Sequence, residues 1–161
     1  MLPDMVDLER LEPKSRVFAH ELLRSRPELR RHARDESLPG GQRYLLLAVP
    51  LESGRPERLI ADTGDRDRIV LRLGAWSAEF HAPAHAERSS ELGQALDLLE
   101  ELLEGAARVW IKTRDGRFAG CGVIREARGE QRLALALAPG ERLEVISFDG
   151  SRDALYERPL G

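Results

Sequence analysis

A single stripe of apolar residues constrains this chain more than any other feature: Leu92, Ala95, Leu96, Leu99, Leu102 and Leu103. The spacing is that of one face of an α-helix. Ser89 or Ser90 can cap its start, because a serine hydroxyl accepts from an otherwise unpaired N–H of the first turn. The run reaches Glu104, and Gly105 suits the left-handed residue just past a helix end. Such a helix must lay its stripe on another element, and the segments on both sides of it read as strands.

Before the helix, Tyr44 to Val49 is a continuous apolar run, short enough for a buried strand. Gly54-Arg55-Pro56 reads as a turn, and Leu59 to Ala61 as the returning strand. Gly64 with Asp65 and Asp67 marks another turn. Arg68 to Leu73 alternates, with Ile69, Leu71 and Leu73 on one face and Arg68, Val70 and Arg72 on the other. Gly74 breaks the run. Trp76, Ala78 and Phe80 then alternate against Ser77, Glu79 and His81 until Pro83.

After the helix, Val109 to Thr113 and Phe118 to Arg125 flank Asp115-Gly116. That pair signals a type I′ hairpin, which needs positive φ at both central residues. Gly129 lies in the next turn, and Leu133 to Leu137 alternates Leu with Ala, which reads as a strand. Pro139-Gly140 is a turn, and Leu143 to Phe148 reads as the last strand.

The N-terminal part differs. Residues 1–14 are charged and hold two prolines. Ser15 is the expected cap of a helix starting at Arg16, with Phe18, Leu22 and Leu23 near one face. Pro27 starts a second short helix through Leu29 to about Ala33. Pro39-Gly40-Gly41 ends the region. The expectation is an α+β fold: a mostly antiparallel sheet of about seven or eight strands, one central amphipathic helix packed on a face, and a short helical N-terminal arm. Residues 1–41 form the arm and 42–161 the sheet-and-helix domain, in one compact unit.

Composition excludes several classes. At 161 residues, 42% hydrophobic and 33% charged, the chain suits one globular domain. A net charge of −3 does not favour non-specific nucleic-acid binding. Cys121 is the only cysteine, so neither an intramolecular disulfide nor a multi-thiolate zinc site forms. Met1-Leu2-Pro3-Asp4 lacks the basic start and apolar stretch of a signal peptide, and no apolar run approaches the ~20 residues of a membrane span. The cytoplasm is the expected location. Lys14 and Lys112 are the only lysines among many arginines, a bacterial style of composition.

No catalytic, metal or cofactor motif stands out. His81 and His85 are four apart with Glu79 and Glu87 nearby, but Pro83 between them breaks the helix that spacing would need. Cys121 sits in Gly120-Cys121-Gly122, where glycines mark a bulge or a close backbone approach. Asp149-Gly150-Ser151-Arg152-Asp153 lacks the later ligands of a calcium loop and reads as a turn. Arg24, Arg26, Arg30, Arg31 and Arg34 form a basic run interleaved with Glu28 and flanked by Glu21, Asp35 and Glu36.

Two surfaces are candidates for binding a protein. Asp97, Glu100, Glu101 and Glu104 share a helix face roughly opposite the leucines, and no Lys or Arg occurs between Glu91 and Glu104. Like charges at this spacing, near a helix C-terminus, disfavour the isolated helix. Either arginines elsewhere in the fold offset them, or they steer a partner with a basic surface. The second surface is the polar sheet face with Glu79, together with Trp110, whose alternation out of phase with Val109 and Ile111 leaves it exposed or packed under the arm. Two rival readings stay open: a pocket between sheet and helix using His81, Glu79, His85 and Cys121, and a regulatory or structural module using Arg24 to Arg34.

Arg68 to Phe80, with Gly74 leading into Trp76-Ser77-Ala78-Glu79-Phe80, resembles small bacterial proteins related to polymorphic-toxin immunity proteins. There an alternating strand and a Gly lead into Trp-His-x-His-Phe, followed by a leucine-rich helix, a strand, Asp-Gly-Arg and a Gly-rich strand. Leu92–Leu103, Val109–Thr113, Asp115-Gly116-Arg117 and Gly120–Val123 are similar to those parts, and Val145 to Gly150 with Asp153 to the closing strand and turn. The resemblance spans roughly residues 44–156. Ser77 and Glu79 stand where the histidines would be, so no metal or proton role carries over. The resemblance implies a non-enzymatic inhibitor that binds a cognate toxin.

Overall fold

The apolar positions of the alternating runs converge on one side of a five-stranded antiparallel sheet in the computed structural model, which describes residues 5–83 and 89–161. Its strands are β1 (Ala33–Ser37), β2 (Arg43–Pro50), β3 (Arg58–Asp65), β4 (Arg68–Leu73) and β5 (Trp76–His81), in that spatial order. A second antiparallel sheet holds β6 (Arg108–Arg114), β7 (Arg117–Ile124), β8 (Glu141–Ile146) and β9 (Ala154–Glu157), in the order β7-β6-β8-β9. The architecture is α+β, with nine strands in two sheets among the described residues. The closing strand β9 follows the turn at 149–153 and pairs along β8. It was not expected from the sequence, because four residues with one outward Leu carry little periodic signal.

Helix α1 spans Pro13–Ser25, α2 Ser90–Glu104 and α3 Ala127–Leu135, with short 3-10 turns at Leu8–Arg10 and Pro27–His32. In α2, the Ser89 hydroxyl accepts from the Leu92 N–H at 3.1 Å, and Gly105 closes the helix at φ 79°. Its leucines join Phe18, Ala19 and Leu22 of α1 against Leu45, Leu47, Leu59, Ile69, Leu71 and Trp76 of the first sheet. The N-terminal helix therefore packs on the sheet. Val109 and Ile146 of the second sheet belong to the same core.

Three expectations need correction. The cap of α1 is Glu12, whose carboxylate accepts from the Ser15 N–H at 3.2 Å; Pro13 opens the helix. Ser15 is instead buried, its hydroxyl 2.6 Å from that of Thr63, so it fastens α1 to β3. Next to it, buried Lys14 donates to the carbonyl oxygens of Asp65 and Arg68, the latter at 3.0 Å. Residues 33–37 are strand, paired with β2 around the Pro39-Gly40-Gly41 turn, so the helical part of the arm ends at His32. Finally, Leu133–Leu137 is no strand: residues up to Leu135 belong to α3. Alternation would put Leu133, Leu135 and Leu137 on one face. The helix and its exit send Leu133, Ala134 and Leu137 into a small second core with Ile124, Leu143 and Val145, and leave Leu135 85% exposed. Buried Arg108 on β6 holds α3 there through Glu130 at 3.1 Å.

No helix among the described residues is long and apolar enough to cross a membrane.

Candidate interaction surface

Among the described residues, the helices that pack on the first sheet lie on one side of it. Inward residues of β2 and β3 (Leu45, Leu47, Val49, Leu59, Ala61) are buried, while the alternate positions Leu46, Ala48 and Ile60 remain half-buried. Those three and Tyr44 belong to neither core. Cross-strand register sets them side by side: Ala48 opposite Ile60, Ile60 opposite Arg72, Leu46 opposite Asp62, and Asp62 opposite Val70. Leu46, Ala48, Ile60 and Val70 thus make an apolar band across three strands on the open face. Val70 is only 9% exposed yet is part of neither core. Its cover is local. It stands between Asp62 and Glu79, and the ion pairs Arg72–Asp62 (3.4 Å) and Arg68–Glu79 (2.7 Å) lie beside it, the arginine stems shielding apolar surface.

Tyr44 lies flat beyond this band. A Cβ built on Gly64 would stand 2.6 Å from the Tyr44 ring, so only glycine leaves room for it. The Tyr44 hydroxyl donates to Glu36 at 2.8 Å, which pushes its pKa up because the bond favours the protonated form; burial adds to this.

Charge on the face is graded along the strands. Arg58 and Arg72 lie towards one end; Asp62 and Glu79 stand level with Leu46 and Val70, and Glu36 and Asp65 lie at the other end, with Arg34, Arg68 and His81 among them. Arg34 pairs with Glu36 at 2.9 Å, and Arg68 with Asp65 at 3.5 Å as well as with Glu79. Arg58 has no ion-pair partner among the described residues. The large exposed apolar side chains among the described residues, Met5, Phe118, Leu135, Leu155 and Leu160, stand on separate segments away from this face.

The acidic stripe on α2 looks different in the fold. Arg26 holds Glu100 through Nε at 2.7 Å and Glu104 through Nη2 at 2.9 Å, and the Ser25 hydroxyl donates to Glu100 at 2.6 Å. These carboxylates raise the Arg26 pKa, the Glu100 hydrogen bond most strongly. Arg125 holds Glu101 at 2.6 Å. Only Asp97 is exposed without an ion-pair partner among the described residues. Arginines just past the ends of α1 and β7 therefore offset most of the stripe.

Trp110 is half-buried, neither an exposed anchor nor under the arm. Its indole lies across Gly122 and Gly120 of β7, and a Cβ on Gly122 would come within 2.6 Å of Nε1. The glycines around Cys121 thus mark a close approach, and Cys121 is a free thiol packed partly against the larger core. His81 is exposed at the end of β5 on the open face beside Arg68, whereas Cys121 packs against the core. Among the described residues no cluster of His, Cys, Asp and Glu has a metal-binding arrangement. His85 and Glu87 lie outside the described residues. At 149–153 the turn closes on itself, Asp149 accepting from Ser151 and Asp153 from Ser147.

Sequence reasoning missed Leu46, Ala48, Ile60 and Arg58 as surface residues. The available signal was Tyr44 to Val49, whose unbroken apolar run means two apolar faces, only one of which the helices cover.

No family model, no curated protein and no solved structure matches this chain.

Proposed function

We propose that this chain is a protein-binding module that docks through the open face of its five-stranded sheet. The observation that carries this reading is the apolar band Leu46, Ala48, Ile60 and Val70, which the fold's own helices leave uncovered and which charged side chains frame. An apolar centre with a polar rim is the usual anatomy of a protein interface. Of the residues expected to bind, Glu79 belongs to this rim, whereas Glu100, Glu101 and Glu104 are engaged within the chain. The resemblance around Trp76 gives the specific form: an immunity-type inhibitor that covers a cognate toxin in the bacterial cytoplasm.

The test is affinity capture from a native lysate with the wild-type chain, Ile60→Asp, and the pair Glu100→Lys with Glu101→Lys. The reading expects a stoichiometric bound protein with the wild type and with a folded stripe variant, lost with Ile60→Asp. Binding that survives Ile60→Asp and fails with the stripe variant would move the docking site to α2.

A further inference from the structure

Resting on the reading of the open sheet face as a docking surface, we infer that its occupant, whenever no toxin is bound, is a second copy of this chain. The two sheets pack face to face about a twofold axis that runs across the strands.

The charge gradient supports this. Arg58 and Arg72 project at one end of the strands, and the outward positions beside them on neighbouring strands, Pro50, Ala48, Ile60 and Ser77, carry no carboxylate. From the level of Val70 towards the other end, Asp62, Glu79, Asp65 and Glu36 outnumber Arg34 and Arg68. A twofold axis along the strands would set like charge on like. An axis across them reverses the strand direction of the second copy. The Arg58/Arg72 end of each copy then lies over the acidic end of the other, and the two apolar bands meet in the middle. This is an isologous interface, the same patch used twice. It is also compatible with sheet packing, since two sheets stacked face to face prefer nearly aligned strands. A foreign partner would have to supply both an apolar strip and a charge gradient of the opposite sense; a second copy has both.

The internal ion pairs on the face do not remove the gradient, because they leave Arg58 without a carboxylate partner among the described residues. They do limit the strength of the contact. The expected association is weak, with a Kd on the order of micromolar or above, and salt weakens it further by screening the exposed charges.

Complementary charge reversal tests the arrangement by sedimentation equilibrium at low salt. One variant carries Arg58→Glu with Arg72→Glu, which makes both ends acidic. The other carries Asp62→Arg with Glu79→Arg, which makes both ends basic. The wild type should dimerise, each variant alone should associate at least ~10-fold more weakly, and an equimolar mixture should form a heterodimer. A heterodimer also shows that both variants are folded. Ile60→Asp, checked for native circular dichroism, should be monomeric. A wild type that stays monomeric up to about 1 mM overturns the inference, and so does a dimer that both charge variants and Ile60→Asp leave intact. Monomeric variants whose mixture also stays monomeric overturn the axis across the strands. If self-association fails while position 60 still contacts another protein, the docking-face reading stands without it.

Discussion

Arg26 and Glu100 meet at 2.7 Å, and the same guanidinium reaches Glu104 at 2.9 Å, so one arginine from the end of α1 occupies two of the four carboxylates on α2. The Arg26 side chain is 23% exposed and that of Glu100 27%. At that depth a charge-assisted pair contributes more than a surface ion pair does. Arg26→Ala should lower the unfolding free energy by about 1–2 kcal/mol, read from urea denaturation midpoints. Glu100→Lys with Glu101→Lys should destabilise the fold as well. If both variants unfold like the wild type, the stripe is not held in this way.

Arg55 ties the two sheets together. Its guanidinium, in the loop between β2 and β3, contacts Glu57, Glu144 on β8 and Asp153 in the closing turn, at 3.0 Å to Glu57 and 3.5 Å to Asp153. The Glu57 hydrogen bond first, then Glu144, drives its pKa upward. Arg55→Ala leaves three partly buried carboxylates without their cation. It should cost about 1–3 kcal/mol, and hydrogen exchange should quicken most in residues 51–57. Uniform exchange across both sheets would argue against a local clamp.

Two aromatic rings lie across glycines, Tyr44 over Gly64 and Trp110 over Gly122. Gly122→Ala drives a methyl group into the indole and should cost about 1–3 kcal/mol, as overpacking does, or roughly 2–10 °C in Tm for a chain of this size. Combining it with Trp110→Leu should recover part of the loss. An unchanged Tm in Gly122→Ala would mean the indole does not sit there.

Burial lowers the pKa of Lys14 from 10.5, although nearby Glu12, Asp65, Asp67 and Asp62 pull the other way. The unfolded chain therefore holds more protons than the folded one between the lowered value and 10.5. The share of the unfolding free energy set by Lys14 should rise with pH through that window and level off above it. Denaturation of the wild type and Lys14→Met across the alkaline range measures this. The rise should be absent from Lys14→Met, which should also be less stable because the carbonyls of Asp65 and Arg68 lose their donor. An equal rise in both would assign the effect to another group.

Where local chemistry dictated structure, the sequence was a good guide. Ser89 and Gly105 bounded α2, strict alternation bounded β4 and β5, and Asp115-Gly116 formed its hairpin at φ 50° and 77°. Legibility stopped where two patterns coincide or where tertiary packing decides. Three apolar residues two apart at Leu133–Leu137 fit a strand, but Arg108 and the Ile124 core hold that segment as a helix. The sequence leaves the acids of α2 either offset or free, because Arg26 and Arg125 come from elsewhere in the chain. Trp110 reads as exposed or under the arm because its actual cover is a missing side chain, the bare backbone of Gly122. The open sheet face hid inside Tyr44 to Val49, since an apolar run does not say which of its faces the helices will take.

Site-specific cross-linking tests the docking face most directly. A photo-reactive residue is placed at position 60, in the middle of the open sheet face, or at position 97 on the acidic side of α2, and each chain is irradiated in its native lysate. A docking face on the sheet yields a discrete adduct from position 60, with a second copy of the chain or with another protein, and none from position 97. An adduct from position 97 alone would contradict it and return the binding surface to the helix.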